Sequence, residues 1–150
     1  MPFGKVGLRQ AKLVIPTTGF DDWRMTMADL PADPSELVSQ FCAAWANGDA
    51  DELMAYFNDD AVYHNVPMDP LEGAEAIRAF LEGFFPASGG ISFETHHQAA
   101  NGNVVLNERT DYINTADGQV ALPVCGVFEI RDGRIARWSD YFDMGQLGRT

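Results

Sequence analysis

The first half of the chain carries apolar residues at helical spacing. Leu37, Phe41 and Trp45 follow one another every four residues, which places them on one face of a helix. The segment 33–36 (DPSE) offers an N-cap aspartate, a proline in the first turn and a glutamate at the third helical position. These signals predict a helix that begins near residue 33 and ends at Asn47-Gly48.

Two further helices and one short strand are predicted before the middle of the chain. Asp49 and Glu52 are typical of a helix start and predict a short helix that ends near Phe57. A short strand is predicted over residues 61–66. A third helix is predicted over residues 74–85, where the apolar stripe consists of Ile77, Phe80, Leu81 and Phe84.

The second half of the chain has the pattern of long strands separated by tight turns. The predicted strands cover residues 91–100, 103–114, 119–131 and 134–142, and the turns are Asn101-Gly102, Asp117-Gly118 and Asp132-Gly133. Helices that come first and strands that follow predict an α+β fold, with one curved sheet and the helices on one face. Before residue 33 the pattern is weaker, with a strand expected over 11–15 and a helix over 20–29. We therefore assign 33–150 to a single domain and 1–32 to an N-terminal extension.

Composition and charge narrow the expected partners. The chain has 150 residues, which suits one domain, and its 10 basic and 22 acidic residues give a net charge of −12. Such a charge repels phosphate backbones and anionic lipid, so neither nucleic acid nor a membrane is an expected partner. The sequence has neither the roughly 20-residue apolar run of a membrane helix nor a signal-peptide pattern, which predicts a cytoplasmic protein. Cys42 and Cys125 have apolar neighbours and are predicted to be buried free thiols.

Polar residues on the predicted strands supply candidate chemistry. Residues two apart on a strand share a face, so Tyr63 and Asn65 point the same way on one strand, and Arg109 and Asp111 on another. A phenol, an amide, a guanidinium and a carboxylate can therefore turn inward together. The simpler explanations are a surface ion pair between Arg109 and Asp111, and a core role for Tyr63 with its hydroxyl satisfied locally.

A second carboxylate, Asp140, lies on the last predicted strand. It shares a face with Trp138 and Phe142, and a carboxylate between aromatic residues rarely faces solvent. Its simpler explanation is a cap at the end of the strand. With Asp111, it gives two carboxylates that the fold can bring together.

The adjacent histidines His96 and His97 have the residue type of metal ligands. Neighbouring strand residues point to opposite faces, so the two are not expected to bind one ion, and no metal site is predicted. The sequence also lacks a glycine-rich phosphate loop, a nucleophile-elbow serine and a Cys/His pair at catalytic spacing. Those classes of chemistry are therefore not indicated.

Three segments together resemble the limonene-1,2-epoxide hydrolase family. They are YHN at 63–65, LNERTD at 106–111 and WSDYFD at 138–143, and the resemblance covers about residues 33–147. This family is similar in fold to nuclear transport factor 2, scytalone dehydratase and ketosteroid isomerase. The resemblance implies a cone-shaped α+β fold with a curved mixed sheet, a homodimer, and no metal or organic cofactor.

The resemblance also implies roles for the candidate residues. Asp140, Tyr63 and Asn65 would hold and activate the attacking water, Asp111 would protonate the epoxide oxygen, and Arg109 would bridge the two carboxylates. The implied reaction adds water to a small apolar epoxide, cyclic or terpene-like, and gives a vicinal diol in one step without a covalent intermediate. The segment after Phe142 is shorter than in the family, and residues 1–32 do not match it clearly.

An apolar pocket would suit such a substrate. The candidates for its lining are Phe84, Ile113, Leu122, Val124 and Phe142. Two other functions stay open: another acid/base enzyme on the same scaffold, such as an isomerase, dehydratase or polyketide cyclase, and a non-catalytic ligand-binding or dimerisation module. An arginine that lies between two aspartates at the base of an apolar cavity would favour the hydrolase.

Overall fold

The computed structural model describes residues 29–148, which form three α-helices and six strands. The helices are α1 (Pro34–Ala44), α2 (Ala50–Met54) and α3 (Ala74–Ala87). The strands are β1 (Phe57–Asn65), β2 (Leu71–Glu72), β3 (Ile91–Asn101), β4 (Val104–Thr115), β5 (Gly118–Arg131) and β6 (Arg134–Tyr141). The strand expected over 11–15 and nearly all of the helix expected over 20–29 lie outside the described residues.

All six strands belong to one mixed sheet in the order β2-β1-β6-β5-β4-β3. β1 runs parallel to β6, and the other neighbouring pairs are antiparallel. α1 packs on β3 and β4, while α3 packs on β1, toward the opposite edge of the sheet. The predicted α+β class, a curved mixed sheet with the helices on one face, is confirmed.

Side-chain caps set the starts of the first two helices. The Asp33 side chain accepts a hydrogen bond from the Glu36 backbone N–H at 2.9 Å, as the sequence predicts for the start of α1. Asp49 caps α2 in the same way by accepting from the N–H of Asp51 and of Glu52. Gly48 lies between the two helices at φ 64°, a conformation that glycine adopts without strain.

β1 begins at Phe57, four residues before the predicted strand, so the predicted end of the second helix at Phe57 is wrong. The polar residues 58–60 have the composition of a turn, yet they continue the strand. The register between β1 and β6 is irregular from Phe57 to Val62, and Asp59 and Asp60 are exposed there. An irregular edge therefore accommodates turn-type residues inside a strand.

The core lies between the helices and the inner face of the sheet, and aromatic rings dominate it. Phe41 of α1 meets the Trp138 ring edge-on, with 5.0 Å between centroids. Phe128 stacks on the other side of the same indole at 5.5 Å. All three side chains are fully buried. Such rings contribute much of the stability of a small core and hold Trp138 in one position.

One of the two predictions about the cysteines is wrong. Cys42 is buried as predicted, but Cys125 is exposed. Its neighbours on β5, Leu122 and Val124, face inward, so the alternation of the strand turns Cys125 to the outer face.

The prediction that His96 and His97 point to opposite faces of the sheet is also wrong. A bulge in β3 interrupts the pairing with β4 between Thr95 and His97. The His96 ring consequently contacts Thr110 and the His97 ring contacts Glu108, both on the outer face of β4. Between residues 29 and 148, no group of three or more His, Cys, Asp or Glu side chains is arranged to hold a metal ion.

None of the helices between residues 29 and 148 is long and apolar enough to cross a bilayer.

Candidate active site

The inward-facing side chains of the middle of β4 are polar. Asn107, Arg109 and Asp111 are 2%, 1% and 6% exposed, respectively, and they alternate with outward-facing residues along the strand. The predicted shared face of Arg109 and Asp111 is therefore the inner face of the sheet. A surface ion pair between the two is excluded by their burial.

The Arg109 guanidinium lies between the two carboxylates. Its Nε donates to Asp111 Oδ1 at 2.7 Å, and its Nη2 donates to Asp111 Oδ2 at 3.2 Å. The same Nη2 donates to Asp140 Oδ2 at 2.6 Å. The Phe93 ring covers the guanidinium, with Cζ 4.5 Å from the ring centroid. One buried cation is thus shared by two buried carboxylates.

Asp140 is held from two sides. Besides the bond from Arg109, its Oδ1 accepts a hydrogen bond from the Trp138 indole Nε1–H at 2.6 Å. Asp140 is 3% exposed, so it is not a strand-end cap in solvent. The sequence reasoning named Trp138 as a neighbour of Asp140 and missed its role as a donor. The Trp-x-Asp spacing on one strand is the signal that could have revealed it.

Tyr63 and Asn65 lie on β1, directly beside β6. Asn65 pairs with Asp140 in the parallel register, and the Tyr63 ring stacks on Trp138 with 4.1 Å between centroids. The Tyr63 hydroxyl donates to Asn65 Oδ1 at 3.1 Å. This orientation leaves the Tyr63 oxygen able to accept and the Asn65 amide nitrogen able to donate to a further partner.

Burial dominates the protonation states of the site. It raises the pKa of Asp111 to about 6, although attraction and hydrogen bonds from Arg109 oppose the rise. Burial also raises the pKa of Asp140, against the same guanidinium and the Trp138 donor. One guanidinium balances only one carboxylate, so the pair favours holding a single proton between them. The pKa of the Tyr63 hydroxyl is also raised by burial, so this group stays protonated.

A cavity of about 310 Å³ opens from the polar cluster. Of the predicted catalytic residues, Tyr63, Asn65, Asp111 and Asp140 line it, and Arg109 lies behind the two carboxylates. The remaining lining residues are Trp45, Met68, Phe80, Phe84, Ile91, Phe93, Ile113, Leu122, Phe142 and Leu147. The cavity therefore has one polar end and apolar walls.

The predicted lining residues fall into two groups. Phe84, Ile113, Leu122 and Phe142 line the cavity. Val124 does not belong to the lining that the described residues form; it pairs with Arg109, which lies behind the lining, whereas Leu122 pairs with the lining residue Asp111. The sequence reasoning missed the walls that come from β3 and the mouth that comes from the turns after β1 and β6.

A curved sheet covered by helices, with a cavity that ends in an acid/base cluster, defines a small α+β domain with a deep ligand-sized pocket. The SnoaL-like domain family matches residues 38–138, and the chain belongs to this family, which has the nuclear transport factor 2-like fold. The resemblance to the limonene-1,2-epoxide hydrolases of the same superfamily is confirmed by the relatives that follow.

The chain is 39% identical over 109 residues to epoxide hydrolase EphG of Mycobacterium tuberculosis (strain ATCC 25618 / H37Rv), a match that covers 71% of each protein. It also resembles the solved structure of an M. tuberculosis LEH-like epoxide hydrolase, with a TM-score of 0.69, 36% identity, and coverage of 75% of this chain and 84% of that one. A third structure, of the epoxide hydrolase/cyclase-like enzyme SalBIII, has a TM-score of 0.68 at 21% identity over 75% of this chain and 92% of that one. At that identity the likeness concerns the fold.

Proposed function

We propose that this protein is an epoxide hydrolase that adds water to an apolar epoxide by general acid/base catalysis. The observation that carries the proposal is the Arg109 guanidinium, which bonds to both Asp111 and Asp140 at the polar end of an apolar cavity. The epoxide hydrolase among its relatives, at 39% identity, supports the same reaction. An isomerase, dehydratase or cyclase would use the scaffold differently, and the bridging arginine favours none of these.

In this proposal the attacking water lies on the side of Asp140. Tyr63 accepts one hydrogen bond from the water, the Asn65 amide donates to it, and Asp140 takes its proton as the oxygen attacks an epoxide carbon. Tyr63 and Asn65 orient the nucleophile and transfer no proton. The register pairing of Asn65 with Asp140 and the bond from Tyr63 to Asn65 support one water site shared by the three groups.

Asp111 is the acid in this proposal. Its pKa of about 6 keeps a protonated fraction available near neutral pH. The carbon–oxygen bond of the ring breaks as the new bond to water forms, and the proton of Asp111 passes to the departing oxygen. The product is a vicinal diol, with the remaining proton on Asp140. Return of this proton to Asp111 resets the pair, and Arg109 stabilises whichever carboxylate is ionised.

The cavity walls favour an apolar substrate, cyclic or terpene-like. Apart from the polar cluster, every lining residue is aromatic or aliphatic, and no lysine or arginine is among the residues found to line it. A carboxylate or phosphate on the substrate would be buried there without a cation, which is unfavourable. Ring strain and proton transfer suffice for the reaction as proposed, so we expect no cofactor.

A single turnover in ¹⁸O-labelled water tests the mechanism. With enzyme in excess over epoxide, the proposal expects the label in the diol. Label in an aspartate of the protein would instead mean a covalent ester and would end the one-step mechanism.

The Asp111→Asn and Asp140→Asn variants test the assignment of the site. Each should lose diol formation and keep the fold, while Asp117→Asn in the exposed β4–β5 turn serves as the matched control. Near-normal rates in either site variant would place the chemistry elsewhere.

We further propose a cytoplasmic homodimer. The outer face of the sheet exposes Leu106 and Tyr141, which are 44% and 53% accessible to solvent. These two side chains lie on β4 and β6, on either side of β5, and exposed large apolar side chains on one face of a sheet support pairing with a second copy.

A further inference from the structure

One row of residues crosses four strands directly beneath the Arg109 guanidinium. Asn107 on β4 pairs with Gly126 on β5, Gly126 pairs with Asp140 on β6, and Asp140 pairs with Asn65 on β1. Three members of the row carry polar side chains on the inner face. Gly126 has none, and the guanidinium occupies the space above it.

The backbone geometry shows how closely that space is filled. A Cβ atom added at Gly126 would overlap Arg109 Nη1, and it would lie 2.8 Å from Asn107 Oδ1 and 3.0 Å from the Phe128 ring. Gly126 lies in extended backbone inside β5, where any residue can adopt the conformation. The requirement for glycine here therefore comes first from the guanidinium and then from the Asn107 side chain that binds it.

Asn107 fixes the other side of the guanidinium. Its Oδ1 accepts a hydrogen bond from Arg109 Nη1 at 3.2 Å, and its Nδ2 donates to the Cys42 Sγ of α1 at 3.5 Å. Cys42 is buried, and burial raises the pKa of its thiol to about 12, so it stays a neutral acceptor. The asparagine is thus anchored between a helix and the active-site cation.

We propose that Asn107 is a positioning residue for the acid/base pair, because it holds the Arg109 guanidinium in place. Gly126 leaves free the space in which the guanidinium lies, and we call this space the seat. With Nη1 bound to Asn107, the guanidinium cannot rotate to pair with one carboxylate alone, and Nη2 remains shared between Asp111 and Asp140. This inference rests on the proposed function, because sharing the cation matters only if the two carboxylates exchange acid and base roles.

The first test compares two glycine substitutions. Gly126→Ala displaces the guanidinium, so kcat should fall by about tenfold or more while KM changes by less than about threefold. Gly83→Ala is the control, because no atom lies within 4 Å of its added Cβ on α3, and it should leave kcat unchanged. Equal kcat values in the two variants would overturn the proposal.

A second measurement needs no substrate. Titration of the aspartate carboxyl carbons by ¹³C NMR reports the pKa of Asp111, which is about 6 in the parent protein. Once Arg109 moves away, its attraction weakens and the pKa of Asp111 should rise in Gly126→Ala. An unchanged titration would mean that the guanidinium has not moved. Because the titration is independent of turnover, it tests the positioning role even if the protein hydrolyses no epoxide.

A double-mutant cycle separates the seat from ordinary packing. Gly126→Ala should raise the unfolding equilibrium constant at least about tenfold more when Arg109 is present than in an Arg109→Lys background, where the overlapping Nη1 is gone and only the contacts with Asn107 and Phe128 remain. The same cost in both backgrounds would overturn the proposed seat.

Asn107→Leu provides the test if Gly126→Ala does not fold. Leucine has the branching of asparagine, with two methyl groups in place of the amide oxygen and nitrogen, so the guanidinium loses its third partner. We expect kcat to fall about tenfold with KM within about threefold of the parent value. A variant with parental kcat, or one that changes KM alone, would contradict the positioning role of Asn107.

Discussion

Replacing Asp111 by asparagine should stabilise the protein at alkaline pH while it abolishes the proposed activity. The site contains one buried cation and two buried carboxylates, so full ionisation leaves one negative charge without a partner. The amide of Asp111→Asn has the shape and the neutrality of the protonated acid. The variant therefore imitates at every pH the state that the native protein reaches only under acidic conditions.

The magnitude follows from the pKa of Asp111. Burial is the largest cause of its rise from 3.8 to about 6, and the negative charge of Asp140 adds to it. Each pKa unit corresponds to about 1.4 kcal/mol, so ionisation of Asp111 costs the folded state about 3 kcal/mol. Because the folded-state pKa is raised, the stabilisation is fully present below pH 3.8 and is lost as the pH rises through about 6.

Urea unfolding followed by tryptophan fluorescence at about pH 4 and about pH 8 measures this difference. The gap in the free energy of unfolding between Asp111→Asn and the native protein should widen by up to about 3 kcal/mol from the lower to the higher pH. Asp117→Asn in the exposed β4–β5 turn removes the same charge without burial, and its gap should stay nearly constant. If the stability of Asp111→Asn falls with pH as steeply as that of the native protein, the ionised Asp111 is not the negative charge that destabilises the fold, and the reasoning is refuted.

Three further predictions follow from the cavity, the core and the outer face of the sheet. Trp138→Phe removes the donor to Asp140 and keeps an aromatic ring, so the pKa of Asp140 should rise; kcat/KM should fall about tenfold near pH 6 and less near pH 8. An equal loss at both pH values would contradict this role. Phe80→Ala removes a wall that contacts Tyr63 and stacks on Phe84, so KM for an apolar epoxide should rise about tenfold in steady-state assays. An unchanged KM would show that the substrate does not touch this wall. Tyr141→Arg adds a charge to the outer face and should convert the proposed dimer to a monomer in sedimentation velocity, whereas a persistent dimer would place the interface elsewhere.

Local patterns predict most of the fold, and the deviations occur where local patterns conflict with tertiary contacts. The caps at Asp33 and Asp49 act as predicted because a cap depends on residues within one turn. β2 covers Leu71–Glu72 and was not predicted, because two residues give no periodicity to detect. The early start of β1 and the bulge beside His97 depend on pairing with strands far away in the chain.

The candidate site is predictable to the level of which face each side chain takes. The alternation of side chains between the two faces of a strand is enough to place Arg109 and Asp111 on the same face of β4, which is the inner one. This alternation carries no information on which strands are neighbours in the sheet. The parallel pairing that sets Asn65 beside Asp140 therefore comes only from the structure. Val124 faces inward like Leu122, but it lies beside Arg109, beyond the polar end of the cavity, and is not part of the lining.

The strongest signal for the site is a violation of the folding pattern. An inner face of a sheet ordinarily carries apolar residues at every second position, yet β4 places Asn107, Arg109 and Asp111 there in succession. Such a run weakens the core. The aromatic rings that stack on Trp138, which come from β1 and β5, compensate for this loss. Local rules fail at functional sites because selection for chemistry overrides selection for stability there. On this argument Asn107 belongs with its two neighbours, since an amide at a core position, like the charges beside it, needs a functional reason to be there.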